Sequence, residues 1–231
     1  LNNHKNQIPT TQDFTSLRNI DRLYGYLQVI SKWNGKKGEP RYINKKDFSS
    51  QEAANELCVS SRTINRQINK LKEYGFILEE DNKMKLPIKH LFTTIHPETL
   101  KYLYQIQTDN VITIYSFLRA MQWYYQDKNK IFFFTKRYLI TEILGKKSSG
   151  SAYDAMDSIL DLLDKLGLVK LACQKKKGKF GEYKVYAVIE VKDEIVRSNF
   201  PTIEEVFGDI YIPDEEEINV GIKEYWQNKK D

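Results

Sequence analysis

Residues suited to catalysis or metal binding are scarce in this chain. Its 231 residues hold three histidines (His4, His90, His96) and two cysteines (Cys58, Cys173). The histidines have no partnering spacing, and two distant cysteines make no zinc site. Disulfide frameworks pair several cysteines in short secreted chains. These two, each in an apolar stretch, are therefore expected to be free thiols of a reducing cytoplasm. No apolar run approaches the ~18 residues of a membrane span and no signal peptide opens the sequence, so no membrane partner is expected. Gly145-Lys146-Lys147-Ser148-Ser149-Gly150 evokes a phosphate-binding loop but lacks the leading glycine at the required distance. Glu215-Glu216-Glu217 reads as a solvated acidic tail, because neighbouring side chains on a helix or strand point apart. No catalytic residue, cofactor or metal is expected.

What the chain does have is core-forming residues, an uneven charge and an internal repeat. Apolar residues make up 41% and aromatics 13%, enough to pack two small domains. Residues 192–231 carry eleven acids against five bases, a local charge of −6. The chain's net +5 therefore leaves +11 on residues 1–191. A basic body points to a polyanionic partner, and the acidic tail to a separate role such as a protein partner.

The repeat lies at a shift of 91 residues, where Leu23–Ile30 falls over Ile114–Met121. At 92, Ile64, Ile68, Leu71 and Tyr74-Gly75-Phe76-Ile77 fall over Met156, Leu160, Leu163 and Leu166-Gly167-Leu168-Val169. A period of this size exceeds the roughly 20–50 residues of a solenoid repeat and matches a small domain.

In the first copy, Leu17, Ile20, Leu23, Tyr24, Leu27 and Ile30 recur at helical steps. Arg41-Tyr42-Ile43 reads as a short extended piece, and Ser50 opens a helix with an apolar stripe of Ala53, Ala54 and Leu57. Ser61 is expected to cap a helix over Arg62–Tyr74 that Gly75 ends. Phe76–Glu79 and Lys83–Leu86 flank Asp81-Asn82 as a hairpin. The predicted fold is mainly α with small β hairpins, an α+β class. The order helix, strand, helix, turn, helix, hairpin resembles the winged helix-turn-helix family, most closely over Ser49–Ile77.

In the second copy, Val111, Ile114, Tyr115, Leu118 and Met121 mark the first helix, after a separate one at Glu98–Gln105. Lys130–Phe134 reads as the strand, Thr135 caps Lys136–Leu144, and Ser151–Leu166 is the third helix. Leu168–Cys173 and Glu182–Val191 read as a hairpin with a lysine-rich connection. The boundaries are a first winged-helix domain at 12–90, a connecting helix at 91–106, a second domain at 107–191 and the acidic tail at 192–231. Phe132-Phe133-Phe134 and Trp123-Tyr124-Tyr125 are expected in core and interdomain packing.

The resemblance implies that the third helix of each copy enters the major groove of duplex DNA. In the first copy Arg62, Arg66 and Asn69 lie opposite Ile64 and Ile68, with Asn65 and Lys70 on the flanks. Arginine suits guanine and asparagine suits adenine. Ser60, Ser61 and Thr63 are small donors for phosphate oxygens at the helix start. The second copy's third helix shows Asp154, Ser158, Asp161 and Lys165 outward, and acids repel phosphate. Its candidate contacts are Lys146, Lys147, Ser148, Ser149 and Ser151 ahead of those acids, and Lys175, Lys176, Lys177 and Lys179 in the hairpin. Six lysines against Glu182 give +5 between residues 170 and 184. Such a wing follows the backbone without reading much sequence.

Two winged-helix modules in one chain resemble plasmid and phage replication initiators, over residues 16–191 at the level of architecture. The resemblance implies double-stranded DNA as partner, with a homodimer or a cooperative array on repeated origin sites. The alternatives are a transcriptional regulator of a mobile element and a tandem winged-helix protein-interaction scaffold. No sensor domain or ligand pocket is evident from the sequence, which favours the initiator over the regulator. Scaffolds of this kind tend to be acidic, and the +11 body opposes that reading.

Overall fold

Serine or threonine side chains cap the helices that begin at Ser50, Ser61, Lys136 and Gly150, and glycines close two of the helices. The computed structural model describes residues 8–11, 20–36, 38–87, 92–106, 108–178, 181–192 and 213–228. The chain divides into two compact units, Leu1–Ser116 and Phe117–Asp231.

In the first unit, β1 (Ile8–Thr11) pairs antiparallel with β5 (Phe92–Ile95). Between them come α1 (Asp21–Ile30), β2 (Arg41–Asn44), a short 3-10 turn (Lys45–Asp47), α2 (Ser50–Leu57), α3 (Ser61–Glu73), β3 (Leu78–Glu80) and β4 (Lys83–Leu86). Helix α4 (Pro97–Gln105) follows β5. The three-stranded sheet runs β2-β4-β3. Its hairpin turns on Asp81 and Asn82, both left-handed (φ 48° and 58°), the combination that a two-residue turn needs to match strand twist. The caps fall one residue earlier than the sequence suggests. The Glu52 N–H donates to Ser49 Oγ (3.2 Å), and the Thr63 N–H to Ser60 Oγ (3.1 Å). Leu23, Leu27, Ile43, Ala53, Leu57, Ile64, Leu71, Phe76 and Met84 are buried as one core.

Helix α5 (Val111–Gln126) contains the boundary between the units. The second unit continues with β6 (Phe132–Thr135) and α6 (Lys136–Tyr138, prolonged by a π-helical turn over Leu139–Ile143). Then come α7 (Gly150–Lys165), β7 (Val169–Gly178) and β8 (Gly181–Val191). Its sheet runs β6-β8-β7, so in both sheets the first strand pairs with the last. The strand begins two residues later than expected. Helix α7 begins one residue earlier, because Ser149 caps it by accepting from the Ala152 N–H (3.3 Å). The larger correction concerns the wing. Lys175, Lys176 and Lys177 are not in a connecting loop but in β7, paired with Lys184, Tyr183 and Glu182. Lys179 lies outside the described residues.

The two glycine stops are alike. Gly75 has φ 68°, its N–H donates to Lys72 O (2.9 Å) and the Phe76 N–H to Leu71 O (2.8 Å). Gly167 has φ 66°, with Gly167 N–H to Asp164 O (2.9 Å) and Leu168 N–H to Leu163 O (3.0 Å). Each closes its helix with the paired bonds of a left-handed C-terminal cap.

The tail is not wholly solvated. Helix α8 (Glu215–Asn228) starts with a reciprocal cap: the Glu217 N–H donates to Asp214 Oδ1 (2.9 Å) and the Asp214 N–H to Glu217 Oε2 (2.8 Å). Ile218 and Ile222 are buried, and the helix packs against β6. Residues 193–212, with Pro201, lie outside the described residues. Phe132, Phe133 and Phe134 are core, as expected, whereas Trp123 is 49% exposed. Cys58 and Cys173 are both exposed, against the expectation of apolar surroundings: Cys58 ends α2 in a left-handed turn and Cys173 sits in an edge strand.

Candidate nucleic-acid interface

Helix α3 is held by one face and presents the other. Ile64, Ile68 and Leu71 are buried, each stabilising by roughly 2 kcal/mol. Arg62, Asn65, Arg66, Asn69 and Lys70 are exposed on the opposite side and flanks. Among the described residues, Arg62, Arg66, Asn69 and Lys70 have no hydrogen-bond or ion-pair partner. Two bonds fix α3 against α2: Ser50 Oγ donates to Asn65 Oδ1 (2.7 Å) and Ser61 Oγ to Gln51 Oε1 (2.7 Å). Ser60 and Thr63 share a hydroxyl–hydroxyl bond of 2.9 Å. Side-chain bonds at the start of α3 thus tie it to α2, and Asn65 keeps both amide N–H donors for other use.

The first wing removes cations from this surface. Glu79 on β3 binds Lys72 (2.8 Å) and Lys45 (3.1 Å). Those hydrogen bonds, Lys72 first, hold its carboxyl below the ordinary glutamate range. Glu80 pairs with Lys85, and Asp81 is at the tip, so this short hairpin is acidic.

Two residues that sequence reasoning missed brace the helices behind the surface. Arg22 spreads its guanidinium between the C-terminal carbonyls of α2 and α4, donating to Leu57 O (2.9 Å) and Tyr104 O (2.9 Å). Asp21 is buried and accepts from the Asn110 N–H (3.3 Å), the Thr113 N–H (3.2 Å) and Thr113 Oγ1 (3.2 Å) at the start of α5. Burial, with a smaller push from Asp109, raises its carboxyl to about 6 despite those bonds. Neither residue belongs to a local motif, since their partners lie 35 to 92 positions away.

In the second unit Asp154, Ser158 and Asp161 are exposed along α7, while Asp157 is bonded to Lys136 of α6. Lys146 and Lys147 are exposed before the helix. Ser148 donates to the Tyr153 hydroxyl (3.2 Å), and Ser149 and Ser151 lie 3.2 Å apart. On the hairpin, Lys170 pairs with Asp164 (3.5 Å) and Lys175 with Glu182 (3.9 Å). A cavity of about 510 Å³ lies between α8, the end of α5 and β6, lined by Tyr124, Tyr125, Lys130, Phe133 and Ile218 among others.

A strand, a capped helix, a tight turn, an outward basic helix and a hairpin follow the order of a winged helix-turn-helix. A family model described as an HTH domain matches residues 41–84, from β2 into β4. No curated protein and no solved structure matches the chain. Residues 41–84 of the first unit thus match a helix-turn-helix domain followed by a hairpin in the place of a wing, and this match supports DNA as a partner. No helix among the described residues is long and apolar enough to cross a membrane.

Proposed function

We propose that the protein binds duplex DNA sequence-specifically through α3, and that residues 107–191 form a second winged-helix module acting on the same duplex. In this reading Arg62, Arg66, Asn69 and Lys70 meet base edges, assisted by Asn65, Ser60, Ser61 and Thr63. Lys146, Lys147, Ser148, Ser149, Ser151, Lys175 and Lys177 meet phosphates. The observation that carries it is the row of exposed Arg62, Arg66 and Asn69, unpartnered among the described residues, on a helix tied to α2 by two side-chain bonds. The element order of the second unit, its matching sheet order and its matching glycine stop support the second module. Two reading heads in one chain suit repeated sites, so we read the protein as an origin-binding replication initiator of a plasmid or phage, working in the cytoplasm. Regulation of transcription fits the same geometry.

Pulldown of genomic fragments by the full chain, followed by sequencing, tests the proposal. Enrichment of direct repeats at a replication origin supports initiation, and enrichment of promoter operators supports the regulator. A protein-interaction scaffold gives no enrichment and no salt-sensitive binding to duplex DNA.

A further inference from the structure

The pleat of the β7–β8 hairpin sorts its lysines onto two faces. Residues opposite one another in an antiparallel pair share a face, and faces alternate along each strand. Lys175 pairs with Lys184 and Lys177 with Glu182, on the same face as the pair Cys173–Tyr186. Lys176 pairs with Tyr183 on the other face. There the Tyr183 ring lies across the hairpin end, 2.9 Å from where a Cβ on Gly178 would sit. Strand β6 covers β8 only over Val185–Val188. Lys175, Lys177 and Lys184 therefore project past the third strand on a free two-stranded ribbon, a shape that a DNA groove admits.

The arrangement is unfavourable in the protein alone. Directly opposed residues have Cβ atoms about 5 Å apart, and like charges so placed destabilise a sheet. Glu182, 3.9 Å from Lys175, offsets one charge. Lys177 and Lys184 have no ion-pair partner among the described residues. The face keeps a net charge of +2 from three lysines and one glutamate. An anion lying across the Lys175–Lys184 pair relieves the repulsion, and a phosphodiester backbone supplies such anions in a row.

We propose that Lys175, Lys177 and Lys184 form a phosphate-binding face for the backbone of duplex DNA, and that Lys176 on the reverse takes no part. The proposal rests on the reading of the chain as a duplex-binding protein, and it adds Lys184 while removing Lys176. The test is the slope of log affinity against log salt for the full chain on a random duplex. The variant Lys175→Thr/Lys177→Thr/Lys184→Thr is expected to flatten the slope by roughly 2 to 3 units, at about 0.9 per phosphate contact. Lys176→Thr is expected to leave it unchanged. The triple variant should keep its unfolding midpoint, since a like-charge pair is removed and threonine suits a strand. Should it fail to fold, Lys184→Gln alone should lower the slope by about 1. Two results overturn the proposal while leaving DNA binding intact: an unchanged slope in the folded lysine variants, or an equal loss in Lys176→Thr. Absence of salt-sensitive duplex binding by the unaltered chain instead sinks the underlying reading, and this proposal with it.

Discussion

Helices α3 and α7 hold the same place in the order of their units, and their outward faces carry opposite charge. At the 92-residue shift Arg62 meets Asp154, Arg66 meets Ser158, Asn69 meets Asp161 and Lys72 meets Asp164. The inward positions agree: Ile64, Ile68 and Leu71 against Met156, Leu160 and Leu163, all buried. The position that ties the helix to the preceding one agrees as well, Asn65 through Ser50 and Asp157 through Lys136. The wings reverse with the helices. The ion pair from helix to wing is Lys72–Glu79 in the first unit and Asp164–Lys170 in the second, with its polarity exchanged. Packing constrains the inner face of a fold, whereas the outer face is free to take the charge its site requires. Among the described residues, Arg62, Arg66 and Lys70 are the unpaired cations along α3, whereas in the second unit Lys177 and Lys184 on the hairpin and Lys146 and Lys147 before α7 are unpaired.

Grafting one face onto the other is the strongest way to break this comparison. Arg62→Asp/Arg66→Ser/Asn69→Asp gives α3 the outward residues of α7. Two lost arginine contacts are expected to cost roughly 2 to 6 kcal/mol of specific binding, before any repulsion by the new acids. All three positions are exposed, so thermal unfolding should barely move. Titration of the preferred duplex measures the effect, and an unchanged affinity would mean that α3 is not the reading helix. The reciprocal graft, Asp154→Arg/Ser158→Arg/Asp161→Asn, should steepen the salt dependence on random duplex without creating a base preference.

The two copies of the repeat also differ at the start of their first helices. Asp21 is buried where the shift of 91 places Ile112 in the second copy. Its carboxyl titrates near 6 in the fold, against an ordinary 3.8. The folded state therefore holds the proton more tightly than the unfolded chain. The resulting stability is complete below the ordinary value and is lost as pH rises through about 6, a loss of roughly 3 kcal/mol by pH 7. Hydrogen exchange between pH 4 and 7 should show α1 losing protection while α7 does not, and Asp21→Asn should flatten the trend. A flat trend in the unaltered protein would remove the buried acid as a stability determinant.

Most of the helical architecture was legible in the sequence, because Ile64, Ile68 and Leu71 repeat at helical steps and Gly75 and Gly167 mark helix ends. The outward row of Arg62, Arg66 and Asn69 followed from the same wheel. The caps slipped by one residue because adjacent serines, Ser49-Ser50 and Ser60-Ser61, offer two equivalent starts and only geometry selects one. The lysine run 175–177 read as a loop because lysine is a poor strand former, and the pairing with Lys184, Tyr183 and Glu182 overrode that tendency. Strands β1 and β5, and the roles of Asp21 and Arg22, depend on contacts distant in sequence that no local pattern announces.

The shared glycine stops offer a control for the comparison. Gly75→Ala and Gly167→Ala each place a Cβ on a left-handed residue, at roughly 1 to 2 kcal/mol. Equal losses are expected, read by hydrogen exchange as confined to α3 in one variant and α7 in the other. A loss at only one position would mean that the two stops, alike in their bonds, differ in the strain they relieve.

The smallest expected effect sharpens the charge reversal most directly. Glu79→Gln releases Lys45 and Lys72, which the first wing now neutralises. Exposed ion pairs contribute little to stability, so the unfolding midpoint should stay within error. Each freed lysine that finds a phosphate adds about 0.9 to the salt slope, so the slope on random duplex should steepen by up to roughly 2 units. Base preference should relax slightly, because the added attraction ignores sequence. The sign with pH is also fixed. The carboxyl of Glu79 is held below its ordinary range by Lys72 and Lys45, so its ion pairs persist as pH falls and break only below that range. The salt slope of the unaltered protein should thus not change through loss of these pairs between pH 8 and 5. A Glu79→Gln slope identical to that of the unaltered protein would place Lys45 and Lys72 away from the DNA. The reversed helix-to-wing ion pair would then be a matter of packing rather than of binding.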